Sequence, residues 1–138
     1  MLTSLSIENF LIVERLELDF SKGMTAFTGE TGAGKSIFIE AIELALGGRA
    51  SVNMIRPGKE KADISLCFDI TKFPRVIAYL NHLDLCQETN ECIIRRVITS
   101  DGRSRCYVNG APSTIQIIKE FRGILYFNTN NLIIFPKI

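Results

Sequence analysis

The chain has almost no net charge: sixteen Lys and Arg stand against fifteen Asp and Glu, a balance of +1. That excludes the global basic field that drives non-specific nucleic-acid binding, so any such contact has to come from a local patch. The sequence also lacks any run of the about 18 apolar residues that a membrane-spanning helix needs. Its first residues, Met1 to Glu8, lack the basic stretch of a secretory signal. The expectation is a soluble, non-exported, cytoplasmic protein with no membrane partner. Cysteine is sparse and wrongly spaced for a metal: Cys67, Cys86, Cys92 and Cys106 lie 19, 6 and 14 positions apart. This fits neither a CxxC pair nor a zinc finger and predicts four reduced thiols. The single histidine, His82, has no nucleophile or metal-ligand constellation around it and reads as a surface or packing residue. There is no internal repeat and no low-complexity tract.

What is present is one domain's worth of chain, or part of a larger one, at 138 residues. With 46% hydrophobic against 22% charged residues, it has the material for a core and is not intrinsically disordered. Leu5 and Ile7, then Leu16, Leu18 and Phe20, alternate with polar neighbours, predicting two strands joined near Asn9 to Leu11. Ser21-Lys22-Gly23 reads as a turn, and Met24 to Thr28 as a strand buried on both faces. From Ser36 the period becomes helical, with Ile37, Ile39, Ala41, Ile42, Leu44, Ala45 and Leu46 forming a wide apolar face that Gly47-Gly48 ends. Ser51 to Ile55 reads as a short helical turn, and Ala62 to Ile70 is the clearest strand. Arg75 to Leu83 reads as a helix preceded by Pro74. Glu91 to Thr99 and Ser104 to Val108 form a hairpin through Asp101-Gly102, and Asn109-Gly110 makes a second turn. Ser113 with Gln116 fits a capping box for a helix through Phe121, and Ile124 to Phe127 reads as a last strand.

The chemistry-bearing motif lies between the predicted buried strand and the helix. Gly29-Glu30-Thr31-Gly32-Ala33-Gly34-Lys35-Ser36 satisfies GxxxxGK[ST] in full, in the context the mechanism demands. Its glycines let successive backbone N–H groups point inward at phosphate oxygens, and the helix start adds its own free N–H groups. Lys35 is the candidate for the β- and γ-phosphates of ATP, and the Ser36 hydroxyl the candidate Mg²⁺ ligand.

A second feature is the cluster Arg95, Arg96, Arg103 and Arg105 around the hairpin. It reads either as a contact for nucleotide or DNA phosphate, or as a solvated edge strand whose charges discourage pairing. Arg56, beside Pro57-Gly58, is a weaker candidate for the same contacts or a plain turn residue. An acidic strand end for Mg²⁺ is missing. Leu66-Cys67-Phe68-Asp69 is the nearest, but it lies in an alternating strand and no second acid follows.

Ser6-Ile7-Glu8-Asn9-Phe10, the stretch Thr28 to Ile37, Leu46-Gly47-Gly48-Arg49-Ala50, Gly102-Arg103-Ser104-Arg105 and Val108-Asn109-Gly110 closely resemble the N-terminal ATPase half of the RecN family of bacterial DNA repair proteins. The resemblance covers about residues 1 to 122. It implies an α/β fold, the N-terminal lobe of a P-loop NTPase head of the ABC/SMC type with an antiparallel β subdomain, as an incomplete head. It also implies that Gly29 to Ser36 bind ATP and Mg²⁺. The signature motif, the Walker B acids and the catalytic glutamate are implied to lie in a C-terminal half that is absent here. The implied partners are that missing half or a full-length RecN-like protein, a homodimer, and DNA in the full-length family. Where the family carries a glutamine segment after the last strand, this chain reads Ile124 to Asn130, so that glutamine has no counterpart. The division expected is a head segment over 1–127 and a divergent tail over 128–138, as from an interrupted or split gene. Against this stand a non-hydrolysing nucleotide-dependent binding module, a decayed remnant, and a compact P-loop kinase for which no acceptor site or lid is visible.

Overall fold

The computed structural model describes residues 1–20, 32–128 and 133–136, with side chains at 1–20 and 37–125. The predicted turn at 21–23, the predicted strand at 24–28 and residues 29–31 of the glycine-rich motif lie outside the described residues. So does most of the stretch after Asn128.

Alternation builds the sheet. Strands β1 (Leu2–Phe10), β2 (Val13–Asp19), β3 (Lys61–Asp69), β4 (Glu91–Thr99), β5 (Ser104–Val108) and β6 (Ala111–Ser113) form one six-stranded antiparallel sheet. Its order is β2-β1-β3-β4-β5-β6. Because side chains alternate across a strand, one face collects Leu5, Ile7, Phe10, Ala62, Ile64, Leu66, Phe68, Cys92, Ile94, Ile98, Cys106 and Val108, all buried. The opposite face carries Ser4, Ser6, Asp63, Ser65, Arg95 and Tyr107, half-buried and mostly polar.

Among the described residues, the helices α1 (Gly32–Ala45), α2 (Pro74–His82) and α3 (Ile115–Gly123) supply the other half of the core. Ala41, Ile42 and Ala45 of α1, Val76 and Leu80 of α2, and Ile118 and Phe121 of α3 join the buried sheet residues in one cluster. Phe68 and Phe121 meet edge to face, with ring centroids 5.6 Å apart. Tyr79 ties α2 to α3 by donating its hydroxyl to the Glu120 carboxylate at 2.8 Å.

All three helix starts differ from the periodicity reading. Helix α1 starts at Gly32 rather than Ser36; its first turn presents no apolar face, so hydrophobic spacing misses it. Pro74 is the first helical residue rather than the one before, where its missing N–H costs no hydrogen bond. The cap of α3 is Thr114, not Ser113: Ser113 pairs with Cys106 as the last residue of β6, which moves the extended cap position one residue on. The Thr114 hydroxyl accepts from the Ile117 N–H at 3.2 Å, and Gln116 bonds Glu120 instead of closing a capping box. The short turn at 51–55 is a 3-10 turn over Val52–Met54, with the Ser51 hydroxyl accepting from the Asn53 N–H. At the C-terminal end, β7 (Leu125–Asn128) and β8 (Ile133–Pro136) form a separate antiparallel pair.

Asn109 links two elements the sequence shows as unrelated. At φ 50 it opens the Asn109-Gly110 turn, with Gly110 at φ 83, the left-handed pair that a two-residue hairpin favours. Its side chain donates to the Leu85 carbonyl at 2.6 Å and accepts from the Ile93 N–H at 2.8 Å, pinning the loop after α2 to β4. Asn109→Ala loses both bonds and places a Cβ residue without local compensation in the left-handed region, so it should cost about 2–4 kcal/mol. Urea unfolding checks this, with the midpoint falling at constant slope; a change within about 0.5 kcal/mol would contradict the role.

Candidate functional site

The glycine-rich motif is opened by the chain and closed by a helix. Gly32, Ala33, Gly34, Lys35 and Ser36 form the first residues of α1, so the helix begins inside the motif. The first four N–H groups of a helix have no intrahelical acceptor, and its N-terminal pole carries about half a positive charge. The first turn of α1 contains no acidic residue to neutralise that pole. A negatively charged group from outside is what such an end accepts. The side chains of Lys35 and Ser36, and residues Gly29, Glu30 and Thr31 altogether, lie outside the described part.

The other end of α1 has the complementary need. Its last turn contains no basic residue, yet its carbonyls form a negative pole. Gly47, at φ 107, and Gly48 close the helix by donating to the Leu44 and Glu43 carbonyls at 3.2 and 2.9 Å. A Cβ at Gly48 would stand 2.8 Å from the Glu43 carbonyl oxygen, so the closure requires glycine there. The missing cation comes from the sheet. Arg96 of β4, only 5% exposed, donates through Nη1 to the Leu44 and Gly48 carbonyls, each at 2.7 Å, and through Nε to the Ser104 hydroxyl at 2.8 Å. Among the described residues no carboxylate touches it; burial lowers its pKa, and the helix-end carbonyls supply the compensating negative charge.

Arg96 therefore leaves the basic cluster in which the sequence reading placed it. Strand parity explains the split: Arg96 shares the inward face with Cys92, Ile94 and Ile98, and Arg95 points the other way. Arg95 forms a two-point ion pair with Asp63, at 2.9 and 2.5 Å, and lies 5.4 Å from the Tyr107 ring centre. That partnership raises its pKa, chiefly through the Asp63 hydrogen bond. Only Arg103 and Arg105 remain exposed. Arg103 stands 3.6 Å from Asp101 in a solvated pair that contributes little. The edge-strand alternative also needs correcting, because β6 covers β5 over Cys106 to Val108 and leaves only Ser104 and Arg105 on an open edge.

The remaining candidates have local duties. Asp69 ends β3 with its carboxylate accepting from the Thr71 N–H at 2.9 Å and the Thr71 hydroxyl at 2.6 Å, bonds that lower its pKa. It shapes a turn, and among the described residues no cluster of metal-ligating side chains forms around it. The Arg56 guanidinium donates to the Ile12 carbonyl at 2.6 Å, and the backbones of Arg56 and Leu11 bond Asn9 and Met54, so the loop after the 3-10 turn braces the β1–β2 turn. His82 is exposed in the last turn of α2. Near the C-terminal end of α1, a groove of about 720 Å³ is lined by Arg96, Ser104, Arg105, Tyr107, Ser113 and Thr114 among others. It lies at the opposite end of the helix from the glycine-rich motif.

Comparison with known proteins agrees with this architecture. The model of the AAA domain family matches residues 4–134. Over 125 residues, 91% of the chain, the sequence is 47% identical to the DNA repair protein RecN of Vibrio cholerae, and over 127 residues, also 91%, it is 43% identical to RecN of Haemophilus influenzae. The chain spans about a fifth of those relatives, 22% and 23% of their lengths. A solved structure concerned with ATP-driven dimerization and DNA-stimulated activation of SMC ATPases superposes with a TM-score of 0.67 at 29% identity, covering 86% of this chain and 75% of that one. The expected fold class, an SMC-type head lobe with an antiparallel β subdomain, is the one observed. The chain belongs to the AAA domain family, with the fold of part of an SMC head and a sequence that matches the N-terminal segment of RecN.

Proposed function

We propose that this chain is the ATP-binding N-terminal head segment of a RecN-like DNA double-strand-break repair ATPase, with Gly29 to Ser36 as the cradle for the nucleotide phosphates. The observation that carries the reading is that α1 begins at Gly32, inside the motif, with no acidic residue in its first turn. Backbone N–H groups of Gly32 to Lys35 are then positioned as phosphate donors, Lys35 adds a point charge for the β- and γ-phosphates, and Ser36 supplies one oxygen to Mg²⁺. The bound Mg²⁺ would neutralise charge on the phosphates. The helix end fits the anion, and the hydroxyl fits a hard cation, but one hydroxyl is not a complete Mg²⁺ site. Its acidic ligands, and the group that orients water, are assigned to the remaining length of the longer relatives. Asp69, committed to Thr71, does not take their place.

Saturable binding of a fluorescent ATP analogue with Mg²⁺ is the expected behaviour of the purified chain. Lys35→Ala should weaken it by at least about 100-fold, since two charge-assisted bonds at about 1.5–3 kcal/mol each are lost. Equal binding by both proteins would remove Lys35 from the site.

Steady ATP turnover by the chain alone should be negligible, and mixing with a separately produced C-terminal segment of a RecN relative should restore it. Turnover without that segment would overturn the half-site reading. No turnover with it would favour a non-hydrolysing binding module.

For DNA, the place on this segment is the β4–β5 tip, where Arg103 and Arg105 are exposed. Replacing both with Ala should lower DNA affinity equally for all sequences and reduce the slope of log affinity against log salt by about two. An unchanged slope would make them plain solvated residues.

A further inference from the structure

Arg96 sits about 18 Å along α1 from Gly32, by the helical rise over the twelve residues from Gly32 to Leu44. It joins the far end of the same helix to the sheet by two bonds to carbonyls and one to a hydroxyl, all between 2.7 and 2.8 Å. The helix has no basic residue of its own at that end. Gly47 packs there against α3, where a Cβ would stand 3.0 Å from Lys119 Cγ.

We propose that Arg96 is a positioning residue for the phosphate-binding end of α1: its guanidinium fixes where the helix ends on the sheet and thereby where Gly32 to Ser36 are held. This rests on the nucleotide reading above and adds a residue outside the motif to it. The leverage is geometric. A helix is stiff over this length, so releasing one end to tilt by about 5° moves the other by about 1.5 Å. A binding constellation tolerates about 0.5 Å. The fork shape matters as much as the charge. Nη1 reaches two carbonyls while Nε reaches Ser104, a split that an ammonium on a flexible stem does not reproduce.

The groove at the same place agrees with this role. Arg96 and Ser104 line it from the sheet and Thr114 from the cap of α3. The clamp therefore lies where α1, α3 and the β4–β5 hairpin converge.

The test uses the full chain as wild type, Arg96→Met and Arg96→Lys, each at a temperature where near-ultraviolet circular dichroism shows an unchanged fold. Each is titrated with a fluorescent ATP analogue plus Mg²⁺, with hydrogen exchange of α1 amides followed in parallel. Met keeps the volume without the charge but leaves the Leu44 and Gly48 carbonyls and the Ser104 hydroxyl without their donor, so affinity is compared only where the fold is intact. Affinity should fall by about 10- to 100-fold in Arg96→Met, the range typical of residues that support a ligating group from outside. It should fall by less in Arg96→Lys, and α1 should exchange faster while β3 and β4 stay protected. Wild-type affinity in a folded Arg96→Met overturns the proposal and leaves Arg96 a packing residue. Should that variant not fold, unchanged affinity in Arg96→Lys overturns it equally. Absence of binding by the wild type overturns the nucleotide reading itself, and the positioning role with it.

Discussion

A guanidinium taken out of water without a carboxylate beside it is among the more costly arrangements a small fold can contain. Among the described residues Arg96 meets no carboxylate, and the end of α1 is what makes its burial tolerable. The carbonyls of Leu44 and Gly48 lie at the negative pole of a fourteen-residue helix whose last turn brings no cation of its own. Each side answers a need of the other. The sheet obtains a counter-charge for a buried arginine, and the helix obtains a cap that also ties it to β4. Removing either partner would strand the other, which makes this junction the point at which helix and sheet are committed to one relative placement.

That placement matters because the two ends of α1 do different work. The C-terminal end is packed, closed by two glycines, clamped by Arg96 and backed by α3. The N-terminal end begins inside the glycine-rich motif, and in the proposed reading its free N–H groups and positive pole receive the nucleotide phosphates. An anion site built from backbone donors gains its selectivity from position, since the donors carry no side-chain chemistry of their own. In the proposed reading the scaffold behind the helix is thus part of what positions the site. The two faces of the sheet follow the same division of labour. The inward face packs the helices, and the outward face, with Ser4, Ser6, Ser65 and the Arg95–Asp63 pair, holds polar groups in local partnerships.

Much of this was legible from residue order. The two-residue period of Ala62 to Ile70 and of Glu91 to Thr99 marked β3 and β4, and Asp-Gly and Asn-Gly marked both hairpin turns, because each signal depends only on neighbours. The same parity also held the role of Arg96, in phase with Cys92, Ile94 and Ile98, but proximity in sequence grouped it with Arg95 as one basic cluster. The capping residue moved from Ser113 to Thr114 for a reason residue order does not carry. Ser113 is claimed by a strand partner, Cys106, seven positions away. Thr71 likewise takes the Asp69 carboxylate only once the strand has ended and the chain turns.

The sequence by itself determined the longer strands and helices, the glycine-rich motif and the family resemblance, since local periodicity, turn chemistry and an eight-residue pattern are properties of adjacent residues. Only the tertiary structure decided which arginine is buried, which carboxylate is occupied, and that the cation capping α1 comes from a strand fifty residues away. Those outcomes depend on which backbone carbonyls and side chains meet after folding, and a buried charge finds its compensation through space rather than along the chain.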